Sequence, residues 1–146
     1  MARIKIDLPE SFGFITHIPV RITDLNYGGH VGNDTVLTII HEARMQWLAS
    51  MGFSEMQFGG VGMIMSDVGI EFKSELFYGD IILISVTVGE ISKIGFEIFY
   101  KLEKETAGKK ILVATAKTGM VCYNYTAKKI TAVTEKIKDM LTQNIS

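Results

Sequence analysis

Val36-Leu37-Thr38-Ile39-Ile40-His41-Glu42-Ala43-Arg44-Met45-Gln46-Trp47-Leu48-Ala49-Ser50-Met51 is the stretch on which the fold turns. Val36, Ile40, Ala43, Trp47 and Met51 recur at helical spacing, and Leu37, Ile39 and Leu48 widen the apolar stripe well beyond one face. Glu42 and Gln46 fall on the opposite side. A helix apolar over so much of its circumference cannot rest on one flat contact, which would leave Leu37 or Ile39 in water, so something has to wrap it. Asn33 or Asp34 is placed to cap its start, and Gly52 to end it.

Upstream of this helix, Phe12 to Ile22 carries Phe14, Ile15, Ile18, Val20 and Ile22 in an extended pattern and reads as a first strand. Downstream, after the Gly-rich loop Phe58-Gly59-Gly60-Val61-Gly62, strand signals run over Met63 to Phe72, Ile81 to Ile91, Phe96 to Glu103 and Ile111 to Tyr125. The run Ile81-Ile82-Leu83-Ile84-Ser85-Val86-Thr87-Val88 is apolar on both parities near its start, which predicts burial on both faces. Turns are supplied by Tyr78-Gly79-Asp80, Ser92-Lys93-Ile94-Gly95 and Thr106-Ala107-Gly108-Lys109. A last amphipathic helix over Val133 to Leu141 completes the order β-α-β-β-β-β-α. These elements make an α+β fold in which a long central helix is wrapped by a curved antiparallel sheet of about five strands. Open sheet edges in such a layer are met by a second copy, which predicts a homodimer.

The bulk numbers agree with one domain over residues 1–146: a chain of 146 residues hides roughly 68–70% of its unfolded surface. With 47% hydrophobic residues and two prolines, a disordered or collagen-like chain is excluded. A net charge of −1 provides no general field for nucleic acid or an anionic membrane, so neither is an expected partner. The adjacent basic pairs Lys109-Lys110 and Lys128-Lys129 read as solvated turn residues or as contacts to a ligand phosphate. The single Cys122 cannot form an internal disulfide, and its place in the alternating run Thr118 to Tyr123 makes it a packed strand thiol. The histidines lack recognisable ligand spacing, so no metal is expected. Without a signal-type leader or a run of ~18 apolar residues, the expected location is the cytoplasm.

Between the first strand and the helix lies Asn26-Tyr27-Gly28-Gly29-His30-Val31-Gly32-Asn33-Asp34, rich in the residue that tolerates left-handed angles and close approach. Its plain reading is a tight strand-to-helix turn. Its chemical reading is that the amides of Val31, Gly32, Asn33 and Asp34 stand free at the positive end of a buried helix, where they can hold an oxyanion. Asp24 reads as a base, or as a salt-bridge partner or turn cap, and His30 as a base acting through water or a loop-fixing hydrogen bond. Glu42 reads as a helix-borne catalytic carboxylate or as the partner of a nearby basic residue. Asp67 is an unexpected charge in an apolar strand, with a contribution to a site across a dimer as its functional reading. His17 and His41 read as strand and core or interface residues. The thioethers of Met51, Met56, Met63 and Met65, with Phe53 and Phe58, suit either an adaptable acyl tunnel or an ordinary core.

In Arg21-Ile22-Thr23-Asp24-Leu25-Asn26, Gly29-His30-Val31-Gly32-Asn33, the helical His41-Glu42-Ala43-Arg44 and the later Gly79-Asp80, the chain resembles the 4-hydroxybenzoyl-CoA thioesterase-like branch of the hot-dog superfamily, over residues 12 to 125. The resemblance implies a hot-dog sheet around a central helix and a homodimer or homotetramer. It implies metal-independent hydrolysis of acyl-CoA or aryl-CoA thioesters, with the coenzyme A thioester as substrate and no cofactor. Together with the residue readings above, it gives a candidate catalytic set of Asn26, His30, Asp24, Asn33 and Glu42, and candidate substrate contacts at Tyr27, Gly28, Gly29, Val31, Gly32, Asp34 and Asp67. The branch's usual loop carboxylate falls at Asn26, and an amide can orient water or a carbonyl but cannot accept a proton. That departure opens a second expectation, a non-catalytic module binding acyl-CoA or an acyl carrier. A hydratase on the same fold would need its own histidine–carboxylate run, which this chain lacks.

Overall fold

The computed structural model describes residues 3–143. Its elements are β1 (Phe14–Pro19), a 3₁₀ turn (Ile22–Asp24), α1 (Asn33–Ser50), β2 (Gly62–Phe72), β3 (Ile81–Ile91), β4 (Gly95–Thr106), β5 (Lys109–Asn124), β6 (Lys129–Ile130) and α2 (Glu135–Gln143). The expected order stands, with two additions. Ile22 leaves the first strand for the 3₁₀ turn, because Asp24 accepts from the Arg21 amide at 2.8 Å and closes the chain there. The two-residue β6, which pairs with β5, is too short to leave a period-2 pattern.

The sheet is antiparallel throughout, in the order β1-β3-β4-β5-β2. Its concave side holds the core. Phe14, Val86, Tyr100, Ala116 and Ile70 stand opposite one another as one row across five strands. Ile40, Ala43, Trp47 and Leu48 of α1 are buried against this surface. The face of α1 left uncovered carries Thr38, His41, Glu42, Met45 and Ala49, so the wrapping predicted from the apolar circumference is real. Register breaks at Met65/Asp67 in β2, at Val88/Ile91 in β3 and at Val113 in β5, opposite Leu102/Glu103, supply extra local twist for the curl.

Double-sided burial in β3 falls at Ile84 to Val88 and not at the start of the strand, where Ile81 is half-exposed, and it has a specific cause. Ser85 and Thr87, on the convex side, are buried along with their apolar neighbours. Residues 4–12 run over that side of the sheet: the Ile6 amide donates to Glu71 Oε1 at 2.6 Å, and Lys101 lies 5.0 Å from the Phe12 ring centroid. The Ile6 amide, with Lys73 behind it, holds the Glu71 carboxyl below its ordinary range. Cys122 is fully buried as expected, and burial pushes its thiol up.

The ends of α1 differ from each other. At the C-terminus Gly52, with φ +81°, donates to Ala49 O at 3.0 Å while Phe53 donates to Leu48 O at 2.9 Å, a Schellman closure that needs glycine. At the N-terminus the cap is Gly32, not Asn33 or Asp34, and no side chain caps the first turn. α2 begins at Glu135 rather than Val133 because the Thr134 hydroxyl accepts from the Ile137 amide at 3.2 Å. No helix among the described residues is long and apolar enough to cross a membrane.

Candidate active site

The loop ahead of α1 is a compact turn pinned to another part of the chain. Asn26 and Gly29 close a tight turn, Gly29 N–H donating to Asn26 O at 3.1 Å with Gly29 at φ +83°. The Asn26 amide donates to His30 O at 2.8 Å, and Leu25 pairs with Val31. Val31 N–H then donates to Leu76 O at 2.9 Å, and His30 bridges to Phe77, so the β2–β3 connection holds the loop in place. That connection is itself braced by Asp80, whose carboxylate accepts from the Phe77 amide at 2.9 Å and from Lys104 Nζ at 3.3 Å. The Gly79-Asp80 pair therefore acts by presenting Leu76 and Phe77 to the loop.

Of the four amides expected to be free, Val31's is taken by Leu76. Among the described residues no acceptor pairs with those of Gly32, Asn33 and Asp34, which stand at the positive end of α1. The absence of a side-chain cap leaves them so. The Asn26 carboxamide adds to this group. Its Oδ1 accepts from Gly28 N–H at 2.8 Å, and its Nδ2 lies 3.7 Å from where a methyl on Gly32 would stand. With Oδ1 occupied, Asn26 presents a donor toward the helix start.

A cleft of about 230 Å³ opens beside this end of α1. Val36, Phe72, Leu76 and Val113 form its apolar floor, and His30, Asn33, Lys73 and Glu75 line its polar side. The His30 ring is fixed by Nδ1 against Val31 O at 3.3 Å, and its Nε2 faces Glu75 Oε1 at 4.0 Å. His30 Nε2 also lies 3.5 Å from where a methyl on Gly28 would stand, with Asn26 Oδ1 at 3.2 Å from the same point. Asn26, Gly28, Gly32, His30, Val31 and Asn33 are thus brought together.

Other expected site residues are placed elsewhere. Asp24 and Glu42 line a second cleft of about 390 Å³ on the other side of α1, with His17, Arg21, Thr38 and His41. There Asp24 is tied to Arg21 at 3.3 Å, and Glu42 accepts from Gln46 Nε2 at 2.7 Å, so both carboxylates already have partners. Asp67 sits at the β2 bulge beside Ser66 and Gly119, away from the loop within the protomer. Tyr27 is fully exposed at the tip of the turn, and Asp34 folds back beside Gly32. The Phe53–Phe58 pair follows the far end of α1, which at 18 residues spans about 27 Å, and it packs with Met51, Met63 and Met65 on the core and not in the cleft, while Met56 is exposed. His41, half-exposed, meets the outer end of a network that runs into the core: Glu55 accepts from Arg44 Nε at 3.0 Å and meets His41 Nε2 at 2.7 Å, while Arg44 also donates to Tyr100 OH at 3.2 Å.

Phe72, Lys73, Glu75, Leu76 and Val113 were not legible as site residues. They lie 40 to 80 positions beyond the glycine loop, and only the Gly79-Asp80 turn hinted that their segment comes back to it.

Comparison with known proteins bears on this arrangement. The model of the family described as "Thioesterase-like superfamily" matches residues 20–141. A 1,4-dihydroxy-2-naphthoyl-CoA hydrolase from Microcystis aeruginosa is 33% identical over 125 residues, covering 84% of this chain and 88% of the relative. Among solved structures, a 1,4-dihydroxy-2-naphthoyl-CoA thioesterase from Synechocystis superposes with a TM-score of 0.77 at 23% identity, over 88% of this chain and 95% of that one. A mutant of 4-hydroxybenzoyl-CoA thioesterase complexed with 4-hydroxybenzoyl-CoA superposes with a TM-score of 0.78 at 16% identity, over 88% and 97%. Both structural likenesses speak to the fold. With the family match reaching from Val20, just past β1, into the last helix, the chain belongs to the thioesterase-like superfamily and has the hot-dog fold.

Proposed function

We propose that this protein hydrolyses CoA thioesters of compact acyl or aryl groups, without a metal ion, in the cleft at the N-terminus of α1. The reading is supported by the unpaired amides of Gly32, Asn33 and Asp34 at the helix start, by Asn26 Nδ2 near Gly32, and by a cleft at that end of α1 lined by His30 and Asn33. The carbonyl oxygen of the thioester takes its developing charge to those donors, which are already oriented toward it before the reaction begins. His30 Nε2 draws the proton from the attacking water. The sulfur leaves readily, since a thiol of pKa ~8.5 needs little help from an acid.

The cleft's size narrows the substrate. At about 230 Å³ it lies below the ~300–1,000 Å³ of ligand pockets in general, which suits a ring system or short acyl head better than a long chain. The hydrolase from Microcystis aeruginosa supports an aryl-CoA of the dihydroxynaphthoyl type. The test is CoA release, read by a thiol reagent, across a panel from acetyl- to palmitoyl-CoA with benzoyl- and hydroxynaphthoyl-CoA. Aryl-CoA is expected to give the highest kcat/KM. Turnover of none of them removes the proposal.

One observation favours a second reading, a module that binds acyl-CoA or an acyl-carrier thioester without cleaving it. Asn26 stands where the resemblance expects a carboxylate, and its remaining free group is a donor. Under this reading CoA thioesters raise the melting temperature and release no thiol.

A further inference from the structure

We infer that Glu75 is the second acceptor at the reaction centre and holds, together with His30, the water that attacks the thioester. This rests on the hydrolytic reading and adds to it a residue that the loop motif does not contain.

The inference starts from the tautomer of His30. Nδ1 faces the Val31 carbonyl oxygen at 3.3 Å, an acceptor, so the ring proton belongs on Nδ1 and the lone pair on Nε2. That lone pair faces Glu75 Oε1 at 4.0 Å, a second acceptor. Two acceptors at this spacing do not bond to each other. They suit one molecule that gives a hydrogen to each, and water with O–H···O contacts of ~2.8 Å spans such a gap.

The backbone that carries Glu75 is fixed on both sides. Its own carbonyl accepts from Lys104 Nζ at 2.7 Å, the next residue's carbonyl accepts from Val31 N–H at 2.9 Å, and the Ser74 hydroxyl is bonded to Leu112 O at 2.9 Å. The carboxylate is also uncommitted. Lys73, the cation in the same cleft, is engaged by Glu71 at 3.2 Å, and Asp34, the acid of the adjoining helical turn, is turned toward Gly32. As an exposed ion pair alone, Glu75 and His30 would contribute little to stability. Their value lies in where they point.

In the reaction the water oxygen forms a bond to the thioester carbonyl carbon as one hydrogen passes to His30 Nε2 and the other stays directed at Glu75. The carbonyl π pair moves to oxygen, beside the amides of Gly32 and Asn33. On collapse the C–S bond breaks, the sulfur takes the electron pair, and the imidazolium returns its proton to the thiolate. The products are free CoA and the carboxylic acid, which ionises to solvent.

Glu75→Gln keeps the shape and removes the charge, and Glu75→Asp keeps the charge at shorter reach. The expected result is a fall in kcat of about 100-fold for Glu75→Gln with KM within about twofold, an acid limb of the kcat/KM profile moved to lower pH, and partial recovery in Glu75→Asp. A Glu75→Gln protein with parental kcat and pH profile overturns the inference while leaving hydrolysis in place. So does a lowered melting temperature with the pH profile unmoved, which would mark a structural role. A parent chain that turns over no CoA thioester overturns the hydrolytic reading itself.

Discussion

Asn26 is the residue on which the chemistry divides. Its Oδ1 is held by Gly28 N–H and its Nδ2 points toward the helix start, so the carboxamide is oriented as a donor. If hydrolysis uses that donor, Asn26→Ala lowers kcat by about 100-fold, as loss of one oxyanion donor does elsewhere. Asn26→Asp is the discriminating variant. Aspartate keeps the bond to Gly28 through one oxygen and puts a charged acceptor where Nδ2 was, which repels an oxyanion and lowers turnover in an amide-dependent hydrolase. Appearance of CoA release in Asn26→Asp, from a parent that shows none, identifies the binding module instead. The resemblance pointed to position 26 from the sequence alone. The direction in which each end of its side chain faces could not be read there, because it depends on the Gly28 amide and on the position of Gly32.

At the scale of elements, α1 is tied to the sheet and to its own following loop by the Arg44 network. Arg44 is buried, and burial works against its charge, yet Tyr100 and Glu55 outweigh that and hold the guanidinium above its ordinary value. Tyr100 in turn meets Thr118 Oγ1 at 2.7 Å, so helix, β4 and β5 are joined by polar contacts inside an apolar core. Removing one member strands the others. Arg44→Ala is expected to cost on the order of 3 kcal/mol in urea unfolding, and Tyr100→Phe about 1–2 kcal/mol. Equal midpoints for parent and Arg44→Ala would show that the network carries no stability. The helical stripe was evident from Val36, Ile40, Ala43 and Trp47, whereas Arg44 read only as part of a His-Glu-Ala-Arg motif. Its burial follows from Glu55 and Tyr100 lying 11 and 56 residues away, beyond the reach of a local pattern.

The whole molecule presents two sheet edges, β1 and β2. β2 is the longer, at 11 residues, and carries Val68 and Phe72 at 37% and 47% exposure, a pattern that proteins cover or charge to avoid unwanted pairing. A second copy seated along β2 would stand next to Phe72 and the cleft. The expected outcome in sedimentation is a homodimer or homotetramer at micromolar concentration, with Val68→Lys shifting the mass to monomer and reducing CoA release. A monomeric parent chain over that range ends the expectation. By itself the sequence determined the element order, the wrapped helix, the buried thiol of Cys122 and the glycine-rich turn ahead of α1. These rest on periodicity and on glycine placement, which are local properties of the chain. Tertiary structure alone decided that Asp24 and Glu42 face a different cleft from His30, that Leu76 takes the Val31 amide, and that Glu75 comes to face His30 Nε2. Each of these is a meeting of segments distant in sequence, set by how tightly the sheet curls around the helix, and residue spacing along the chain carries no measure of that curl.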